Sequence, residues 1–284
     1  ESYISNPPMR LIRVTFNNGR YLRMTPDHKL RIGGQWVEAQ DMRIGQKVEY
    51  EMGTYENSNE YELKCSDQDH YPAYTNAKLG YFLGWVHSSN CTIQNKSLSF
   101  VHNDLYSVSK LSNLANVVKE LFGFGVPIID HGDEGFGILI SHPSVFHWLK
   151  DNELLKGARV PYALRQASKN TLLSYLSGLI DAGTEAMGKA PSFFIKADEG
   201  FLSNVQQVAE AVGICLRKTP LEGEGSELPS LHLDFLYSSH SSVKELYVYS
   251  RSVANHPLYQ SVKSPLGHPY QIKEVFHESI PDYS

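Results

Sequence analysis

Cysteine is scarce in this chain, with three in 284 residues, at Cys65, Cys91 and Cys215. They lie far apart and form no Cys-x-x-Cys or short Cys/His pair, which argues against a zinc site and a disulfide framework. An odd, sparse count fits a reducing compartment, so the expected location is cytoplasmic, or wherever a host protein resides, and not secreted. No apolar run reaches the ~20 residues that cross a bilayer, so no membrane partner is expected. The opening Glu1–Arg10 has no secretory-signal pattern, and a start at Glu rather than Met reads as a fragment or a processed product. Excess positive charge is lacking too. Lys and Arg number 26 against 31 Asp and Glu, and a net charge of −5 argues against a protein whose whole surface grips nucleic acid. Gly-x-Gly-x-x-Gly, P-loop and Gly-x-Ser-x-Gly patterns are all missing, which leaves oxidoreductase, kinase and esterase-type readings without a motif.

What the chain does have comes in two textures. Met9–Thr15 alternates apolar and polar residues, Asn17-Asn18-Gly19 supplies hairpin chemistry, and Arg20–Met24 resumes the alternation. Gly33-Gly34 precedes another short β run at Gln35–Val37, and Gly45 precedes Lys47-Val48. Residues 1–50 therefore predict a small β domain. Residues 51–77 are rich in Tyr, Asn and Glu, lack periodicity, and read as a linker or embellishment. From Lys78 the period becomes helical: Leu79–Val86 is apolar all round, and Ser107–Phe122 is amphipathic and stops at Gly123. Short helices are predicted at His142–Leu149 and Pro161–Ala167, a second apolar helix at Leu172–Ala182, a strand at Phe193–Ile195, and a second amphipathic helix at Phe201–Val212 before Gly213.

These pieces repeat. An apolar helix with a central glycine (Gly84, then Gly178) precedes an amphipathic helix that carries Leu-Ser-Asn, at 111–113 and again at 202–204. The shared order favours a duplication, with repeats over 78–168 and 169–262. Two copies in one chain should pack about a pseudo-two-fold axis, as a monomer. Gly80 and Gly84 lie one turn apart, as do Ser174 and Gly178, and small residues at that spacing let two helix backbones approach closely. The plainer alternative is a buried helix in a large core.

The run Leu176-Ser177-Gly178-Leu179-Ile180-Asp181-Ala182-Gly183-Thr184 resembles the LAGLIDADG signature of homing endonucleases. Phe82–Asn90 aligns as a second, divergent copy. Leu155-Lys156-Gly157-Ala158-Arg159-Val160-Pro161 is similar to the basic-Val/Ile-Pro block that inteins carry between the two signatures. Leu22–Leu30, with Thr25 and His28, resembles the intein block built on Thr-x-x-His, and Trp36, Ala39 and Gly45 follow in the intein order. Together the blocks cover roughly residues 10–217. The resemblance implies an α+β fold: two LAGLIDADG repeats packed through their signature helices and inserted in a small all-β splicing (Hint-type) domain. Tyr270–Phe276, within 263–284, would be a strand returning to that domain.

In that family the eighth signature position is an acid in each copy, and the pair holds Mg²⁺ for phosphodiester hydrolysis. Here those positions are Ser89 and Gly183. Cleavage should be weak or lost, no metal site is expected, and Mg²⁺ enters only if activity survives. An active endonuclease with displaced ligands is the alternative. Asp181, two positions before Gly183, lies about 200° round the helix and so cannot point where residue 183 points, whereas Glu185, two positions after it, could reach. His87 and Lys156 flank the first copy. Double-stranded DNA would be held weakly, by Arg159, Arg165, Lys169, Lys189, Lys196, Arg217 and Lys218. An ordinary solvated surface explains the same residues, because acids such as Asp130, Asp133, Glu134, Asp198 and Glu199 are mixed among them. Thr25 and His28 would polarise the amino-terminal scissile bond during splicing; alternatively Pro26-Asp27 makes a plain β-turn that leaves His28 exposed. The splicing nucleophile and the terminal His-Asn pair are not among these residues, so splicing is expected only within a longer precursor that includes the flanking host protein.

Overall fold

The computed structural model describes residues 10–65, 71–103, 107–183, 194–219, 230–233 and 270–277. In chain order the elements are β1 (Ile12–Phe16), β2 (Tyr21–Met24), β3 (Lys29–Ile32), β4 (Gln35–Glu38), α1 (Ala77–His87), β5 (Cys91–Gln94), β6 (Ser97–His102) and α2 (Ser107–Phe122). There follow β7 (Ile129–Asp130), β8 (Phe136–Ile140), α3 (Pro143–Asp151), α4 (Tyr162–Arg165), α5 (Lys169–Gly183), β9 (Phe194–Lys196), α6 (Glu199–Ala211), β10 (Leu216–Thr219), β11 (Ser230–Leu233) and β12 (Ile272–His277). The chain is thus a mixed α+β protein. It divides into two compact units, one of 1–51 with 265–284 and one of 52–264.

The first unit is built of β strands with one 3-10 turn, Ala39–Asp41, among its described residues. β12 pairs antiparallel with β1, which pairs with β2, so a strand from the far end of the sequence completes the sheet begun at Ile12. Alternation sets the faces: Ile12, Val14 and Phe16 are buried beside Tyr270 and Ile272, while Arg13 and Thr15 point the other way. β3 and β4 form a separate hairpin. Its turn, Gly33-Gly34, has φ of +58° and +79°, the left-handed pair that a two-residue hairpin needs and that glycine adopts without strain.

The second unit is built twice on one plan. In the first copy the sheet order is β5-β6-β8-β7, all antiparallel. In the second copy β9 pairs with β11 and β11 with β10, so the β6-β8-β7 scheme recurs with α6 in the place of α2. Leu111 and Leu202, the leucines of the two Leu-Ser-Asn tripeptides, are both fully buried. Between the sheets stand α1 and α5. α1 is apolar on every side and buried from Leu79 to His87, and α5 from Thr171 to Gly183, as expected of helices with no solvent face.

Residues 52–65 and 71–76 have almost no regular structure but are packed on this unit as a strap. The Glu60 carboxylate accepts from Thr75 Oγ1 (2.7 Å), Ser168 Oγ (2.5 Å) and Thr171 Oγ1 (2.9 Å). Tyr55 donates its hydroxyl to Ala167 O at 2.6 Å, and Leu63 is 6% exposed within the core. An aperiodic sequence reads as a linker because its contacts are hydroxyl-to-carboxylate and long-range rather than periodic.

Candidate functional site at the foot of the helix pair

The close approach of α1 and α5 follows from three glycines. A Cβ on Gly80 would fall on the Thr171 carbonyl, one on Gly84 on the Tyr175 carbonyl and the Leu179 amide, and one on Gly178 on the Tyr81 carbonyl. Contacts that climb both helices together mean that the two run parallel and cross at Gly84 and Gly178. Their carboxy-termini, each carrying about half a negative charge from the aligned peptide dipoles, therefore share one end of the seam.

Hydroxyls lock the crossing reciprocally. Tyr81 donates to Asp181 Oδ2 at 2.8 Å, and Tyr175 pairs with His87 Nδ1 at 3.0 Å. Tyr81 and Tyr175 each lie three residues before their glycine, and His87 and Asp181 each three after. The His87 Nε2 atom faces Leu154 O at 2.9 Å, and a carbonyl only accepts, so Nε2 carries the proton and Nδ1 accepts from Tyr175. Burial lowers the His87 pKa from 6.5 to about 4, against the Leu154 carbonyl, which favours the charged ring; nearby Lys156 lowers it further. Burial likewise raises both tyrosines, with the Asp181 charge adding to the effect at Tyr81.

At the foot, the last carbonyls meet N–H donors. Lys156 Nζ donates to Ser88 O at 3.0 Å, Asn90 Nδ2 donates to Ala182 O at 2.6 Å, and His102 Nε2 donates to Asp181 O at 3.1 Å. Burial lowers the Lys156 pKa, while Cys91 and Asp198 nearby act the other way. The Cys91 thiol is pushed up to about 12 by burial, which leaves it un-ionised.

The sequence candidates fall unevenly around this foot. Ser89 lies in the turn beyond α1 and is exposed, whereas Gly183 is the buried last residue of α5. Asp181, about 200° round the helix from Gly183, is 0% exposed and accepts the Tyr81 hydroxyl at the seam. Lys156 is likewise engaged with a carbonyl. Glu185 lies outside the described residues. Among the described residues no group of three or more His, Cys, Asp or Glu side chains is placed to hold a metal. One exposed hydroxyl, a glycine and an ammonium are a donor set unsuited to Mg²⁺, which takes carboxylates and water.

The proposed DNA contacts divide in the same way. Arg159 and Arg217 are exposed. Lys169 is paired with Glu56 at 3.3 Å, Lys218 with Glu199, and Arg165 donates to Val160 O at 3.2 Å with its guanidinium over the Tyr162 ring. Burial also lowers the Lys218 pKa. Lys196 lies in β9, and Lys189 is outside the described residues. The solvent face of the first sheet carries Thr92, Gln94, Ser97, Ser99, Val101 and Leu139, with no charge among them.

In the β unit, Thr25–His28 is a β-turn, with His28 N donating to Thr25 O at 3.1 Å. Thr25 hydrogen-bonds the Asp27 carboxylate and lowers its pKa, and the His28 side chain is exposed.

No family model and no curated protein matches this chain. Among solved structures, mesophilic variants of the homing endonuclease I-DmoI superpose with a TM-score of 0.44 at 11% identity, over 63% of this chain and 97% of theirs. I-DmoI in complex with DNA and Mn gives 0.43 at 13% identity, over 62% of this chain and 96% of that one. The N-terminal LAGLIDADG domain of WhiA gives 0.40 at 14% identity, over 65% and 86%.

Proposed function

We propose that residues 52–264 are a LAGLIDADG-type module that has lost DNA cleavage and keeps weak recognition of double-stranded DNA. The observation that carries the first part is the foot of the helix pair, where Ser89 and Gly183 replace acids and Lys156, Asn90 and His102 already satisfy the helix-end carbonyls. The sheet face supports the second part. Gln, Ser and Thr side chains read base edges by hydrogen bonding and add no phosphate attraction of their own. Titrating a labelled duplex that spans the uninterrupted insertion site tests this. Binding should weaken as the salt concentration rises. No difference between that duplex and a scrambled one would overturn it.

A second reading applies to the β unit, which we infer is the interrupted splicing domain of an intein, acting only inside a longer precursor with its host protein. The pairing of β12 with β1 favours it, because strands that precede and follow residues 52–264 in sequence then share one sheet. In a full precursor, His28→Ala should slow amino-terminal cleavage at least tenfold. Unchanged rates would reduce His28 to a residue of the turn.

A further inference from the structure

Alternation along β1 buries Ile12, Val14 and Phe16 and turns Arg13 and Thr15 to the other face of the sheet. Register fixes their neighbours on that outer face. Arg13 stands opposite Phe276 of β12 on one side and Arg23 of β2 on the other, and Thr15 stands between Glu274 and Tyr21. Each arginine is laid on a ring. The guanidinium carbon of Arg13 is 5.3 Å from the Phe276 centroid, and that of Arg23 is 5.7 Å from the Tyr21 centroid. Both rings stay open to solvent, with Phe276 49% exposed and Tyr21 38%.

Two features of this row call for an anion from outside. Like charges directly opposite each other on paired strands repel, and Arg13 is in register with Arg23. Arg13 Nε is also buried without an acceptor, and among the described residues Arg13 pairs with no carboxylate. Glu274, on the same face, accepts from Thr15 Oγ1 at 3.3 Å. An apolar protein surface laid here would bury the Arg13 charge uncompensated.

We propose that the outer face of the β12-β1-β2 sheet binds single-stranded nucleic acid, with a phosphate between Arg13 and Arg23 and bases stacked on Phe276 and Tyr21. Aromatic rings and guanidinium planes both stack on bases, and a cation laid on a ring strengthens the platform. Only an unpaired strand offers free base faces, because bases in a duplex already stack on their neighbours. Stacking tolerates any base, so no sequence preference is expected. The proposal stands apart from both readings above, since every residue it names lies in one sheet of the β unit.

The test titrates the full chain into labelled oligothymidylate of about 20 nucleotides, and into an abasic strand and a random duplex of the same length. Oligothymidylate should bind at least fivefold more tightly than either, and salt should weaken it. Phe276→Leu and Tyr21→Leu should each weaken it at least threefold, and Arg13→Gln at least fivefold. An abasic strand or a duplex bound as tightly as oligothymidylate overturns the proposal, as does unchanged affinity in the leucine variants. If the variants do not fold, photo-crosslinking of the parent chain to oligobromodeoxyuridylate decides. Crosslinks at Tyr21 or Phe276 are expected, and crosslinks confined to residues 52–264 overturn the proposal.

Discussion

Tyr81 donates its hydroxyl to Asp181 Oδ2 at 2.8 Å across the helix seam, and the equivalent pair, Tyr175 and His87, stands at 3.0 Å. Equivalent positions thus carry different acceptors, a carboxylate in one direction and an imidazole in the other. Removing the donors should reveal the difference. Tyr81→Phe leaves a buried carboxylate short of a hydroxyl and should cost about 2–3 kcal/mol, whereas Tyr175→Phe costs about 1 kcal/mol. Urea unfolding of the two variants measures both. Equal losses would mean that Asp181 does not depend on this bond.

The seam glycines give a prediction with a definite sign. Gly→Ala in an ordinary helix stabilises by roughly 0.5–1 kcal/mol. At Gly84 and Gly178 the added methyl meets backbone of the opposite helix, which cannot rotate away. Each Gly→Ala change should destabilise by about 3 kcal/mol, at or beyond the upper range for overpacking. A stability gain at either position would contradict the close crossing.

Acid should weaken the fold through His87. Its pKa is about 4 when folded against 6.5 for the free side chain, so the unfolded chain takes up the proton first. The stabilisation is therefore complete above pH 6.5 and falls as pH drops towards 4, by up to about 3 kcal/mol at roughly 1.4 kcal/mol per pH unit. The slope should shrink in His87→Gln. Unfolding curves taken between pH 7 and pH 4 check it, and an unchanged slope in the variant would move the effect elsewhere.

The strap gives a local readout. Glu60→Ala removes the acceptor shared by Thr75, Ser168 and Thr171 and should cost about 2–3 kcal/mol. Amide exchange should quicken in residues 52–65 and at the start of α5, and protection across α1 should hold. Uniform loss of protection would mean that the strap and the helix pair unfold as one.

How much of this the sequence carries depends on the range of the interaction. Local signals were legible: Ser107–Phe122 predicts α2 to the residue, Gly33-Gly34 marks its hairpin, and the glycine spacing marks the seam. The duplication is readable as well, because both copies keep Leu-Ser-Asn with its leucine buried in the core. The closing of the foot is not. Lys156 lies far along the chain from Ser88, and nothing in either segment announces a lysine-to-carbonyl bond. Asp181 is similar, since only the fold turns an acid of a signature-like run into the buried partner of Tyr81. The strap escapes for a third reason: Glu60 finds its hydroxyl partners on both sides of α1, a pattern with no period.

The most direct test of a helix pair without a cleavage centre is linearisation of supercoiled plasmid bearing the uninterrupted insertion site, incubated with the full chain in Mg²⁺ or Mn²⁺. The account predicts that the plasmid stays supercoiled with either ion, under conditions where the same site binds the protein. Linear product cut at that site would contradict it.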